Sequence, residues 1–146
     1  MNPSYRNHKL GFKLKLAQRE RVLTQGVKHI TWTFDPLQSL NAHLNFGKLG
    51  VISDTYKINF YGEKTSSFLH QIGIKNHLSL EIPWNINDLL RERPKLAVEW
   101  RKATRWAFTE AFNSDYLVED FYRATRYDQL VGVYLLTLQK TKLTRF

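Results

Sequence analysis

The stretch Pro3-Ser4-Tyr5-Arg6-Asn7-His8-Lys9-Leu10-Gly11-Phe12-Lys13-Leu14-Lys15 combines a turn-forming lead-in, a glycine and several basic side chains at the start of a helical pattern. That combination can hold an anion. The first-turn amides of a helix have no partner inside it and carry the positive end of its dipole, about half a charge, so they bind phosphate or pyrophosphate. Arg6, Lys9, Lys13 and Lys15 add attraction. An ordinary solvated helix start can have the same composition, so on its own this segment leaves both readings open.

Other chemistries find less support. The chain has no Gly-x-x-x-x-Gly-Lys-Ser/Thr phosphate loop, no Gly-x-Ser-x-Gly elbow and no His-Glu-x-x-His helix. His8, His29, His43, His70 and His77 are scattered without ligand spacing, and no metal site is expected. Glu119 and Asp120 are neighbours, so in a strand they point to opposite faces and do not form an acid/base pair. No catalytic residue can be named from spacing alone.

The 146 residues suit one ordinary domain, and 42% hydrophobic residues with four Trp, seven Tyr and nine Phe supply a core. With no cysteine there can be neither disulfides nor thiolate metal sites, and a reducing compartment is the default. No apolar run approaches the ~18 residues of a membrane span, and Met1-Asn2-Pro3-Ser4-Tyr5-Arg6 lacks the layout of a signal peptide, so a cytoplasmic protein without membrane contact is expected. The formal charge of +9 favours phosphate-bearing partners of any kind. Lys95, Arg101, Lys102 and Arg105 read as a solvated helix face.

These residues must be positioned by the following elements. Leu10, Leu14 and Ala17, widened by Phe12, Leu16 and Leu23, predict a helix over 8–25 capped by Gly26. Ile30, Trp32 and Phe34 alternate with Thr31 and Thr33, predicting a strand over 28–34 ended by Asp35-Pro36. Leu37, Leu40 and Leu44 predict a helix up to Gly50, and Ile52, Tyr56, Ile58 and Phe60 a second strand over 51–61. Residues 63–76 show no clear period. Beyond them come a short strand through Leu78, Leu80 and Ile82 ended by Pro83, and the longest helix from Pro94. The helix carries a stripe of Leu96, Trp100, Ala103, Ala107 and Ala111 with Phe108 and Phe112 beside it. A hairpin follows, pairing 116–123 with 130–138 across Ala124-Thr125-Arg126-Tyr127-Asp128.

Arg6-Asn7-His8-Lys9-Leu10-Gly11 resembles the Gln/Arg-x-x-Gly-x-Gly/Ala pyrophosphate loop of the GNAT superfamily of acyl-CoA N-acyltransferases. Four further segments resemble a branch of predicted acetyltransferases in that superfamily: Lys13 to Glu20, Ile30 to Leu37, Asn41-Ala42 with Lys48-Leu49-Gly50, and Asn59-Phe60-Tyr61-Gly62. Leu80-Glu81-Ile82-Pro83, the run Leu96 to Arg105 and Tyr134-Leu135-Leu136 resemble the same branch's C-terminal extension. The resemblance implies an α/β (α+β) fold, a GNAT-like mixed sheet with packed helices. Residues 1–62 would be the acyl-CoA-binding half, 63–77 a loop, and 78–146 an extension of strand, long helix and hairpin in the same domain.

It also implies acetyl-CoA as acyl donor, an unidentified amine as acceptor, and cofactor contacts from Arg6, Asn7, His8, Lys9, Leu10, Gly11, Phe12 and Asn41. Three departures bear on activity. The family's N-terminal half is not in the chain, Lys9 stands where the family has Gly, and Phe46 aligns with the family's frequent general-acid tyrosine. The isolated chain is therefore expected to be weak or inactive, and the edge of the 28–34 strand to pair with a second copy in a homodimer. The alternative is a non-catalytic phosphate-binding, nucleic-acid-binding or interaction module. Nucleic acid is not the expected partner, because Trp32, Trp100 and Trp106 fall in apolar or helical patterns rather than on a stacking platform.

Overall fold

The computed structural model describes residues 10–57 and 76–139. The chain gathers into two compact units, Met1–Phe34 and Asp35–Phe146. Helices and strands are mixed, and the sheet is antiparallel throughout among the described residues, with no parallel pairing of the kind a mixed sheet would contain.

In the first unit α1 spans Leu10–Thr24. Its end is a Schellman motif: Gly26 adopts φ +75°, Val27 N–H bonds Val22 C=O at 3.0 Å, and Gly26 N–H bonds Leu23 C=O at 3.0 Å. The expected cap is therefore in place. The expected apolar arc is not, for α1 buries no side chain and Leu14 and Leu23 are exposed. The reason lies in the spacing: Leu10, Phe12, Leu14 and Leu16 recur every two residues, so successive ones fall on opposite sides of a helix with lysines between them.

The strand expected over 28–34 is not formed. Its faces survive, with Ile30, Trp32 and Phe34 half-buried and Thr31 and Thr33 exposed. Period-2 alternation makes a segment ready to be a strand, but only a ladder makes it one. The ladders run elsewhere, so the sheet edge expected to pair with a second copy does not lie along 28–34.

The second unit opens on a turn in which the Asp35 carboxylate accepts from Leu37 N–H at 3.1 Å and its carbonyl from Gln38 N–H at 3.0 Å. α2, Ser39–Ala42, runs on as a π-helical segment over His43–Lys48, where Leu49 N–H reaches back five residues to Leu44 C=O at 3.1 Å. The wider turn rotates the buried face onto Ala42, Asn45 and Phe46 and leaves Leu40 exposed. Gly50, at φ +63°, ends it as expected. Of the second expected strand, only a single antiparallel bridge between Ser53 and Val118 forms within 51–57, and residues 58–61 lie outside the described residues.

β1 spans His77–Pro83, where a strand was expected. The next helix, α3 over Ile86–Glu92, was not anticipated; Asn85 caps it, its side chain accepting from Asn87 N–H at 3.2 Å and Asp88 N–H at 3.4 Å. α4 starts at Pro94, the favoured first position, and runs to Asn113. Its buried line is Ala97, Thr104, Phe108 and Ala111, about one residue round the helix from the expected stripe. β2, Tyr116–Arg126, and β3, Gln129–Leu138, form the expected hairpin, but Ala124, Thr125 and Arg126 pair with β3 rather than joining the connection, which shortens to Tyr127-Asp128; the strand order is β1-β3-β2.

The core centres on Tyr134, whose ring meets Phe121 at 4.7 Å, Phe108 at 5.0 Å and Phe46 at 5.8 Å between centroids, all edge-on. Leu37, Ile82, Ile86, Val118 and Leu136 complete it. Gly132 lies under the Phe121 ring, where any Cβ would overlap the ring carbons.

Candidate functional site

Of the residues expected to meet a cofactor, Arg6, Asn7, His8 and Lys9 lie outside the described residues. Leu10, Gly11 and Phe12 are the first described residues of α1 and are half-buried. Asn41 is an exposed residue of α2. Lys15, one turn further along α1, places its ammonium 4.0 Å from the centroid of the Trp32 ring, a cation–π contact within the first unit.

The remaining titratable residues sort by geometry. His29 is exposed, His43 is half-buried with Nδ1 lacking a hydrogen-bond partner, and His77 Nδ1 is 3.3 Å from Thr137 Oγ1; His8 and His70 lie outside the described residues. Among the described residues no three His, Cys, Asp or Glu side chains converge as metal ligands. Glu119 sits at a β-bulge and accepts from Thr137 Oγ1 at 2.7 Å, while Asp120 accepts from Phe121 N–H at 2.7 Å. Both carboxylates thus serve the hairpin.

The basic run on α4 is the largest departure from expectation. Lys95 is exposed, as a solvated face requires, but Arg101 forms a two-pronged pair with Asp35 at 3.1 and 2.9 Å across 66 residues of sequence. That carboxylate, chiefly through its hydrogen bond, raises the Arg101 pKa further above its usual value. One turn on, Arg105 lies beside the phenol of Tyr56, whose ring stacks on Phe108 at 5.9 Å. Burial raises the Tyr56 pKa, against the opposing hydrogen bond and charge of Arg105. Beneath, the Tyr134 hydroxyl donates to Pro36 C=O at 2.6 Å, and burial holds its pKa well above the usual phenol value. Asp35, Tyr56, Arg101, Arg105 and Tyr134 therefore form one polar cluster in the second unit. The only sequence signs of it are the Asp35-Pro36 turn and two arginines spaced i, i+4.

Elsewhere a shallow cavity of about 240 Å³ is lined by Leu37, Gln38, Ser39, Trp84, Asn85 and Asn87 among others. The amides of Gln38 and Asn87 bond each other reciprocally at 3.3 and 3.4 Å beside it. Among the described residues no helix is long and apolar enough to cross a membrane. No family model, no curated protein and no solved structure matches the chain.

Proposed function

We propose that this chain is a GNAT-like acyl-CoA-binding protein, an N-acetyltransferase or a remnant of one, with the acyl donor's pyrophosphate against the amides of residues 6–11. The observation that carries the reading is that the described part of α1 opens on Leu10-Gly11-Phe12, next in sequence to the basic Arg6-Asn7-His8-Lys9. The ordered likeness of the segments from Arg6 to Gly62 supports it, as does the capped end of α1 at Gly26. In such a reaction an amine attacks the thioester carbonyl and the CoA thiolate leaves, taking up a proton. Residue 46 cannot donate that proton, because Phe46 has no hydroxyl and is only 4% exposed, packed against the Tyr134 ring. Low turnover is the expected consequence.

Calorimetric titration with CoA is the test. Saturable binding abolished by the double substitution Arg6→Glu, Gly11→Val is expected, with Lys9→Gly binding CoA equally well or more tightly. Unchanged binding in the double variant would put the site elsewhere. A thiol-release assay over a panel of amines should give far less than about 1 turnover per second, the low end of ordinary enzyme rates.

A second reading is favoured by α1 itself, which buries nothing and carries Lys13, Lys15, Arg19 and Arg21. Such a helix suits a polyanion, RNA or DNA, in a non-catalytic module. Affinity for RNA that falls steeply with salt, in a chain that does not bind CoA, would select it.

A further inference from the structure

Half-buried cations in a folded chain are matched by carboxylates, because an uncompensated charge away from water is costly. Arg101 follows that rule, with both prongs of its guanidinium on Asp35. Arg105, on the same face of α4, does not. Among the described residues no carboxylate lies in ion-pair range of it, its polar neighbour is the neutral phenol of Tyr56, and its Nε is enclosed with no acceptor. Thr104 beside it, 3% exposed, likewise has its hydroxyl buried and unpartnered. Among the described residues, this turn of α4 sets two arginines against one aspartate, and only Arg101 is paired with it.

The donors are held in place. Tyr56 is fixed by its stacking on Phe108, and Arg101 by Asp35, which the turn over 35–38 anchors through Leu37 N–H. Arg105 and Tyr56 both keep part of their side chains in solvent, so the cluster can be reached from outside. A guanidinium fork next to a phenol hydroxyl matches the paired oxygens of one acid group, which a planar fork can bind through two parallel hydrogen bonds.

We propose that Arg105 and Tyr56, with Arg101 beside them, form a binding site for a single oxyanion, the carboxylate or phosphate group of a small ligand. The site lies wholly in the unit Asp35–Phe146 and does not rest on the acyl-CoA reading. Inorganic phosphate and acetate are the probes, titrated into the full chain at constant ionic strength in sodium chloride while the backbone amide resonances of residues 101 and 105, present in every variant, are followed by NMR.

A saturable shift is expected, with affinity falling about tenfold in Arg105→Gln and less in Tyr56→Phe, as befits one charged and one neutral contact. Lys102→Gln, which removes the same charge from the same helix, should leave the affinity within about twofold, because a charge outside the contact is screened by salt. Tighter binding of phosphate assigns the ligand group as a phosphate, and equal or tighter binding of acetate assigns it as a carboxylate. No saturable shift with either anion, or equal losses in Lys102→Gln and Arg105→Gln, would overturn the proposal. If Arg105→Gln fails to fold, Tyr56→Phe decides: affinity unchanged on loss of that hydroxyl overturns the site.

Discussion

Tyr134 does two tasks at once: its ring is the hub of the aromatic core, and its hydroxyl pins the turn at Pro36 across 98 residues of sequence. The neutral phenol is the form the fold holds, since burial sets its pKa well above normal, and Tyr56 is shifted in the same direction. In the unfolded chain a tyrosine ionises near pH 10. Above that pH the unfolded state therefore binds fewer protons than the folded one, and stability falls as pH rises toward the folded value. Urea unfolding between about pH 8 and 11 should show that fall, and Tyr134→Phe should flatten it. The same variant should cost about 1 kcal/mol at neutral pH, because Pro36 C=O loses its donor. A fall of equal steepness in the variant would assign the alkaline loss to other groups.

At the scale of elements, the β2–β3 connection is a two-residue turn in which Tyr127 and Asp128 take φ +49° and +60°. Both central residues in the left-handed region define the mirror-image turn that matches strand twist, a site suited to Asn-Gly. Tyr127 is 100% exposed, so its ring makes no contact to offset the strain. Replacing Tyr127-Asp128 by Asn-Gly should stabilise the protein by about 1 kcal/mol and raise Tm by several degrees, read by thermal melting.

The hairpin, β1 and α4 were legible because each carries local punctuation: the alternating runs on either side of Ala124 to Asp128, Pro83 after an alternating triplet, and Pro94 before a long stripe. The strand at 28–34 was misread because its faces depend on local spacing but its pairing depends on a distant partner. α3 was missed although Asn85, with Asp88 three residues on, is a recognisable cap; a helix of seven residues has too few turns for a period to show. The Asp35–Arg101 pair had no local sign, since no periodicity relates residues 66 apart.

For the whole molecule, the division after Phe34 separates a helix that buries nothing from a unit that holds every buried hydrophobic side chain among the described residues. A fragment of residues 35–146 should therefore fold cooperatively, with Tm within a few degrees of the full chain. Residues 1–34 alone should show little helix by circular dichroism, as isolated helices of about 15 residues are marginal in water. A fragment 35–146 that fails to fold would mean that the first unit contributes to the core.

The strand order β1-β3-β2 also sets a timetable. The hairpin closes a two-residue loop, whereas β1 must pair with β3 from roughly fifty residues away, and the Pro36 turn must find Tyr134 from almost a hundred. Loop closure of that length is opposed by chain entropy until the central strand is in place. Substitutions in the hairpin should therefore slow refolding, while Asp35→Ala, which releases the Arg101 clasp, should chiefly hasten unfolding. On that expectation the clasp on the turn acts as a latch on the native state, controlling how long the protein stays folded more than how quickly it gets there.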